Sequence, residues 1–384
     1  SGKSRFCLDE IRQRLREDPA GNPLILLVPE QATFQAEYEL VTTPGMFGIL
    51  RAQAISFRRL AFRVMQECGG TARIHIDDTG KRMLLFKILQ SHKDKLTIFR
   101  RAADQRGFVS ELTDLFNEFR RYRNSAKDLD DVCGRAVRRV QGSSELPEDP
   151  FLLKLQDIRL IYHLYEDALR DYYVDSEHYL QTLAEQAPRS SYLRDAELWI
   201  DGFSGFTPQE YMVIEALFRS VRRVTVTLCA DRIYEPGEQL NELNMFHSTA
   251  VTMTRLKQLA EEAGVPVEQT VVLTEAPRYR EAPMLAHLEK YFADRFPPAY
   301  LAGIELLPDT KRRMADRSQV KVAAAVNPRA EIEAAARQIL NLTQHAECRF
   351  RDIAVITRNM ETYGDLIATV FQDHGIPFFI DHKK

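Results

Sequence analysis

A chain of 384 residues, 45% of them apolar, is too long for one small core and calls for two or three packed units. A formal net charge of −3 excludes the strongly basic balance of an indiscriminate nucleic-acid binder, so any contact with a polynucleotide has to come from a local basic groove. Five cysteines (Cys7, Cys68, Cys133, Cys229 and Cys348) lie far apart, are odd in number and lack CxxC spacing, which argues against a disulfide framework or zinc site and for reduced thiols in the cytoplasm. No apolar run reaches membrane-spanning length, and no signal peptide is visible.

The chain opens Ser1-Gly2-Lys3-Ser4 without an initiator methionine and stops at His382-Lys383-Lys384 directly after an apolar segment, so a fragment of a longer polypeptide is expected. Gly2-Lys3-Ser4 has the form of the last part of a phosphate loop, and Phe6, Leu8, Ile11 and Leu15 follow it at helical spacing. In such a loop the lysine reaches the β and γ phosphates of a nucleotide, the serine hydroxyl ligates magnesium, and the helix N-terminus faces the anion. Read alone, the triplet is a weak signal, and a solvated basic N-terminus competes with it.

A turn cluster at Asp18 to Pro23 precedes the apolar run Leu24 to Val28, which reads as a buried parallel strand. That strand delivers Gln31 and Thr33 to the edge where α/β sheets place ligands, just before a helix through Tyr38 and Leu40. There they either cap the helix or hydrogen-bond a nucleic-acid strand. Leu50 to Phe57 reads as a third strand, and Ser56 is the candidate cap of the helix that follows. On that helix Arg59, Phe62 and Arg63 share a face beside the buried stripe of Leu60 and Val64. Basic residues beside an aromatic suit a single strand, the guanidinium on phosphate and the ring under a base; solvated arginines are the plainer alternative.

From Thr79 to Leu193 the apolar spacing is helical, with strand signals scarce. Leu198 to Ile200 then returns to strand character and ends on Asp201, a carboxylate placed to hold magnesium in a nucleotide hydrolase, but Gly202 stands where the water-orienting glutamate is expected. A helix from Pro208, a strand Val224 to Cys229 and a helix Ser248 to Ala263 follow. Beyond a charged connector, Lys311 to Arg317, a second pattern starts: strand 320–326, helix 328–342, strand 352–356, helix 363–371, strand 376–380. The expected fold class is α/β: a P-loop (RecA-like) parallel sheet interrupted by an all-helical insertion, then the start of a second α/β domain.

This layout resembles the UvrD/Rep-type superfamily-one helicases. More closely, Leu27-Val28-Pro29-Glu30-Gln31-Ala32-Thr33-Phe34, the stretch 51–61, Ile200 to Glu210 and Ala286-His287-Leu288-Glu289 are similar to the N-terminal part of the AddB family, the second subunits of bacterial AddAB helicase-nucleases. The resemblance implies residues 1–78 and 194–300 as the two halves of a first motor-like domain, 79–193 as a helical insertion, and 301–384 as the start of a second motor-like domain. It implies a nucleotide site at Ser1, Gly2, Lys3, Ser4 and Asp201, for ATP and magnesium, and a single-strand DNA channel at Gln31, Thr33, Arg59, Phe62 and Phe203. It further implies an AddA-type partner that supplies the active motor, resection of double-strand breaks with a response to a Chi sequence, and a nuclease domain with an iron-sulfur cluster outside this chain. Departures from an active motor are explicit: Asp201-Gly202-Phe203-Ser204-Gly205 replaces Asp-Glu-Phe-Gln-Asp, and Cys229-Ala230-Asp231-Arg232 lacks the glutamine that senses the γ-phosphate. A non-motor strand-gripping scaffold is therefore expected, with an active UvrD-type hydrolase or a pure subunit-docking module as alternatives.

Overall fold

The computed structural model describes residues 2–43, 51–69, 74–122, 124–141, 149–174, 176–274, 277–300, 320–345 and 348–380. Ser1, Leu50 and the connector Lys311 to Arg317 lie outside the described residues. The chain divides into two compact units, Ser1–Arg278 and Tyr279–Lys384.

The first unit starts with α1 (Lys3–Glu17), β1 (Leu24–Leu27), α2 (Thr33–Val41), β2 (Ala52–Ile55) and α3 (Phe57–Cys68). A short strand, β3 (Ile74–His75), leads into α4 (Asp78–His92), α5 (Arg106–Arg121), α6 (Ala126–Gln141) and α7 (Pro150–Tyr172), after which β4 (Tyr173–Val174) pairs in parallel with β3. Then come α8 (Ser176–Gln186), α9 (Ser191–Arg194), β5 (Glu197–Ile200), α10 (Pro208–Ser220), β6 (Arg223–Val226) and α11 (His247–Glu262). Among the described residues β2, β1, β5 and β6 form, in that order, a four-stranded parallel sheet in which Leu24 sits opposite both Ala52 and Glu197.

All four residues of β1 are buried, as a central parallel strand covered on both faces requires. Leu24 and Leu26 point to one face, where they meet Cys7, Ile11 and Leu15 of α1 and the indole of Trp199. Ile25 and Leu27 point to the other, into a core with Leu60 and Val64 of α3, Leu183 of α8 and Val213 and Leu217 of α10. Polar ties fix α1 across the strands: the Trp199 indole donates to Glu10 at 2.7 Å, and Arg14 pairs with Glu197 at 3.2 Å. The Ser56 hydroxyl accepts from the Arg59 N–H and so starts α3, and Thr207 with Glu210 forms a reciprocal capping box that starts α10.

Between β3 and β4 the described elements are helices. Helices α4 to α7 share their own core, centred on Phe116, whose ring lies 4.8 Å from Tyr162 and 5.5 Å from Tyr165. The buried Asp157 carboxylate accepts from the N–H groups of Thr97, Ile98 and Phe99, which closes the turn between α4 and α5.

The second unit contains α12 (Pro283–Tyr291), α13 (Pro328–His345) and α14 (Met360–Asp373). Ile332, Ala336 and Ile339 of α13 pack on Ile367, Val370 and Phe371 of α14. Here the structure departs from the sequence pattern. Segments 320–326, 352–356 and 376–380, expected as strands, form no ladder among the described residues, and Phe350–Asp352 is a short 3-10 turn. An apolar run becomes a strand only when neighbours take up its N–H and C=O groups. In these segments Val322, Ile356 and Phe379 are about nine-tenths exposed or more.

Candidate nucleotide and nucleic-acid sites

At the carboxyl edge of the sheet, Gly2 precedes α1 with φ 95°, and the first turn has neither a side-chain cap nor an acidic residue. Its N–H groups are therefore open to an anion. Cys7, one turn on, is fully buried, and its thiol is pushed up to about 12, first by burial and then by the charges of Asp201 and Glu10, with Lys3 acting in the opposite sense. Cys7 packs in one buried cluster with Trp199, two residues before Asp201, so α1 lies against the strand that leads to this carboxylate.

Asp201 is buried, donates its N–H to the Leu27 carbonyl at 3.0 Å and accepts a hydrogen bond from the Thr227 hydroxyl. Gly202 follows in the left-handed region, φ 85°, and a Cβ there would lie 3.2 Å from Cδ of Pro29. The Thr252 hydroxyl, donating to the Ser204 carbonyl at 3.2 Å, ties this loop to α11. After β6, Asp231 is committed to its own loop. It accepts from the Tyr234 hydroxyl at 2.7 Å and the Asn244 amide at 3.3 Å, and although burial alone pushes its carboxyl up, these bonds hold it below the usual range.

A groove of about 920 Å³ opens beside α3. Arg58, Arg59, Phe62, Arg63 and Gln66 form one wall, Glu37 and Val41 of α2 stand on the other, and β2 contributes Gln53. The Arg59 guanidinium reaches Glu37 at 3.5 Å, and that of Arg63 lies over the Tyr192 ring, 4.3 Å from its centroid. Phe62 is half exposed, an open apolar face between two arginines.

Of the expected strand-contacting residues, the structure brings Arg59 and Phe62 together in this groove. Gln31 is exposed on the 3-10 turn Glu30–Ala32, whose Glu30 lines the groove. Thr33 spends its hydroxyl on the Glu30 carbonyl, 2.8 Å away, which is the turn-closing role. Phe203 packs with Phe57 at 5.7 Å and Phe206 at 5.1 Å, half buried against the core and not among the groove's lining. Gln53, Arg58 and Gln66 escaped the sequence reading; the one signal for any of them is that Gln53 is a polar residue within the otherwise apolar run of β2.

The sequence profile described as "ADDB, N-terminal" matches residues 1–289. The chain is 44% identical, over its whole length, to a protein of Desulforudis audaxviator (strain MP104C) whose name is that of the B-type subunit of an ATP-dependent helicase/deoxyribonuclease, and 45% identical to the protein of that name from Geobacillus kaustophilus (strain HTA426). The chain belongs to the AddB family. It spans 31% of the length of each of those two relatives, and the Moorella thermoacetica protein of the same name, 42% identical, is matched over 32% of its length.

For an AddB-family chain the cysteine chemistry of the first unit is plain: the thiols are free, Cys7 and Cys133 are buried and Cys229 is exposed. Among the described residues no group of three His, Cys, Asp or Glu side chains is placed to hold a metal ion, and no helix is long and apolar enough to cross a membrane.

Proposed function

We propose that this chain is the helicase-like N-terminal region of an AddB-type subunit, a motor-shaped scaffold that grips single-stranded DNA and does not itself turn over nucleotide. The observation that carries this reading is Gly202, at φ 85° and close to Pro29, directly after the buried Asp201. A glutamate that orients an attacking water needs an unstrained backbone at that position, and this loop is built around the residue that lacks a side chain. The elements fit a RecA-like half-domain, with α4 to α7 as its helical insertion and the unit from Tyr279 as the start of a second such domain.

Where a nucleotide enters, Gly2, Lys3 and Ser4 at the uncapped end of α1 fit its phosphates, Ser4 and Asp201 fit a magnesium ion, and that ion supplies charge neutralisation. Lys3 neutralises phosphate charge, and Asp201 stays oriented by the Thr227 hydroxyl. In the whole assembly an AddA-type partner drives the motor, and a nuclease domain with an iron-sulfur cluster lies outside this chain. The complex resects double-strand breaks in the cytoplasm for recombination, and this region takes part in Chi recognition. The arginine-lined groove, with Phe62 in it and Gln31 near it, is the place for the strand; Phe203 packs on Phe57, the first residue of the helix that carries the arginines.

The test uses the full-length AddB-type protein without its partner. Labelled single strands should bind in a salt-sensitive manner, and Arg59→Ala with Phe62→Ala should weaken binding about tenfold or more. DNA-stimulated nucleotide hydrolysis that disappears in Lys3→Ala would overturn the inactive-motor reading.

A further inference from the structure

The groove has a second wall that the proposed function leaves unused. On α2, Phe34 is 76% exposed and Tyr38, one turn later, 55%. Their rings face each other with centroids 6.3 Å apart and 24° between planes. Val41 continues the same stripe and lines the groove, as does Glu37, which lies on the other side of Phe34 from Tyr38 around the helix. Two large rings left open to water on one helix face are costly unless something covers them.

The neighbouring charge selects what covers them. Arg58, Arg59 and Arg63 line the groove together with Glu37 and Val41 of α2, so the helix that carries the open rings, themselves outside the groove's lining, borders a locally basic wall, the combination that stacks bases while guanidinium groups hold phosphates. Glu37 is the exception: its carboxylate occupies Arg59 in the absence of a ligand. An exposed pair of this kind is weak and gives way to a better anion, so Arg59 is held in place at little cost and released to a phosphate.

We propose that the exposed face of α2 is the second wall of the single-strand path, with Phe34 and Tyr38 stacking unpaired bases and Glu37 restraining Arg59 until a phosphate displaces it. This rests on the strand-gripping reading and extends it to residues on the opposite wall. It makes predictions of opposite sign on one helix, which general damage to α2 would not produce.

The experiment is fluorescence anisotropy of a labelled oligothymidylate on the full-length AddB-type protein at low and moderate salt, with 2-aminopurine in the oligonucleotide as a stacking reporter. Phe34→Ala with Tyr38→Ala should weaken binding roughly tenfold and relieve the quenching of 2-aminopurine. The swap Phe34→Tyr with Tyr38→Phe should restore both. Glu37→Gln should tighten binding about threefold at low salt, and the gain should vanish when Arg59→Ala is added. If the double alanine variant binds like the wild type while Arg59→Ala with Phe62→Ala weakens binding, the α2 wall is wrong and the groove stands. If neither pair matters, both readings fall. If the α2 variants instead lose assembly with the partner and keep strand binding, the stripe is a protein interface and the proposal is overturned.

Discussion

Gly202 concentrates the residue-scale physics of this chain. A side chain at φ 85° costs about 1–2 kcal/mol, and the nearness of Pro29 adds to it. Placing a carboxylate there by Gly202→Glu is therefore expected to lower Tm by a few degrees in a melting experiment and to yield no phosphate release above background. Hydrolysis that appears in this variant would mean that the loop relaxes easily and that only a side chain was missing. The cysteines give a second test. Cys7 is buried with its thiol pushed up to about 12 and Cys229 is exposed, so an aromatic disulfide reagent at pH 8 should modify Cys229 quickly and Cys7 only after unfolding. The stability linked to Cys7 is whole below the ordinary thiol value of about 8.5 and is lost as pH rises from there towards 12.

Whole elements are held by a few contacts of long sequence separation. Glu67, at the end of α3, accepts from the Ser190 and Ser191 hydroxyls and from the N–H groups of Ser191 and Tyr192, so a carboxylate from one element caps α9 in another. These bonds, the Ser190 and Ser191 hydroxyls foremost, hold its carboxyl below the usual range. A depressed value means stability that is present above the unfolded carboxylate pKa, about 4.3, and lost as pH falls below it. Glu67→Ala should cost about 1 kcal/mol at pH 7 by urea unfolding, the cost of a lost cap, and flatten the acid limb of the stability profile. Phe116→Ala, which empties the centre of the α4 to α7 core, should cost about 3–5 kcal/mol and be seen in the same experiment. The cap at Ser56 was legible in the sequence because both of its partners lie within a turn. Glu67 was not, since its partners are more than 120 positions away.

The molecule as a whole consists of two units with separate cores. Among the described residues the second has a core of α13 packed on α14 and several large apolar side chains exposed. Scanning calorimetry is expected to resolve two transitions, the lower one belonging to the second unit; a single two-state peak would contradict this. Strand and helix patterns in residues 24–28, 198–200 and 208–220 were readable because each is a local matter of apolar runs, turn residues and caps. The same local pattern misled at 320–326, 352–356 and 376–380, where apolar character is present and no strand ladder forms among the described residues. It also left Phe34 and Tyr38 looking like ordinary helix residues, and Phe203 like an open one, although the first two face water and the third packs on Phe57. By itself the sequence determined an α/β architecture, the family and a glycine directly after Asp201, all properties of neighbouring residues. Tertiary structure alone decided the strand order, the meeting of α2 with α3 across a groove, and which aromatic rings stay exposed, because burial and pairing depend on surfaces brought together from distant parts of the chain.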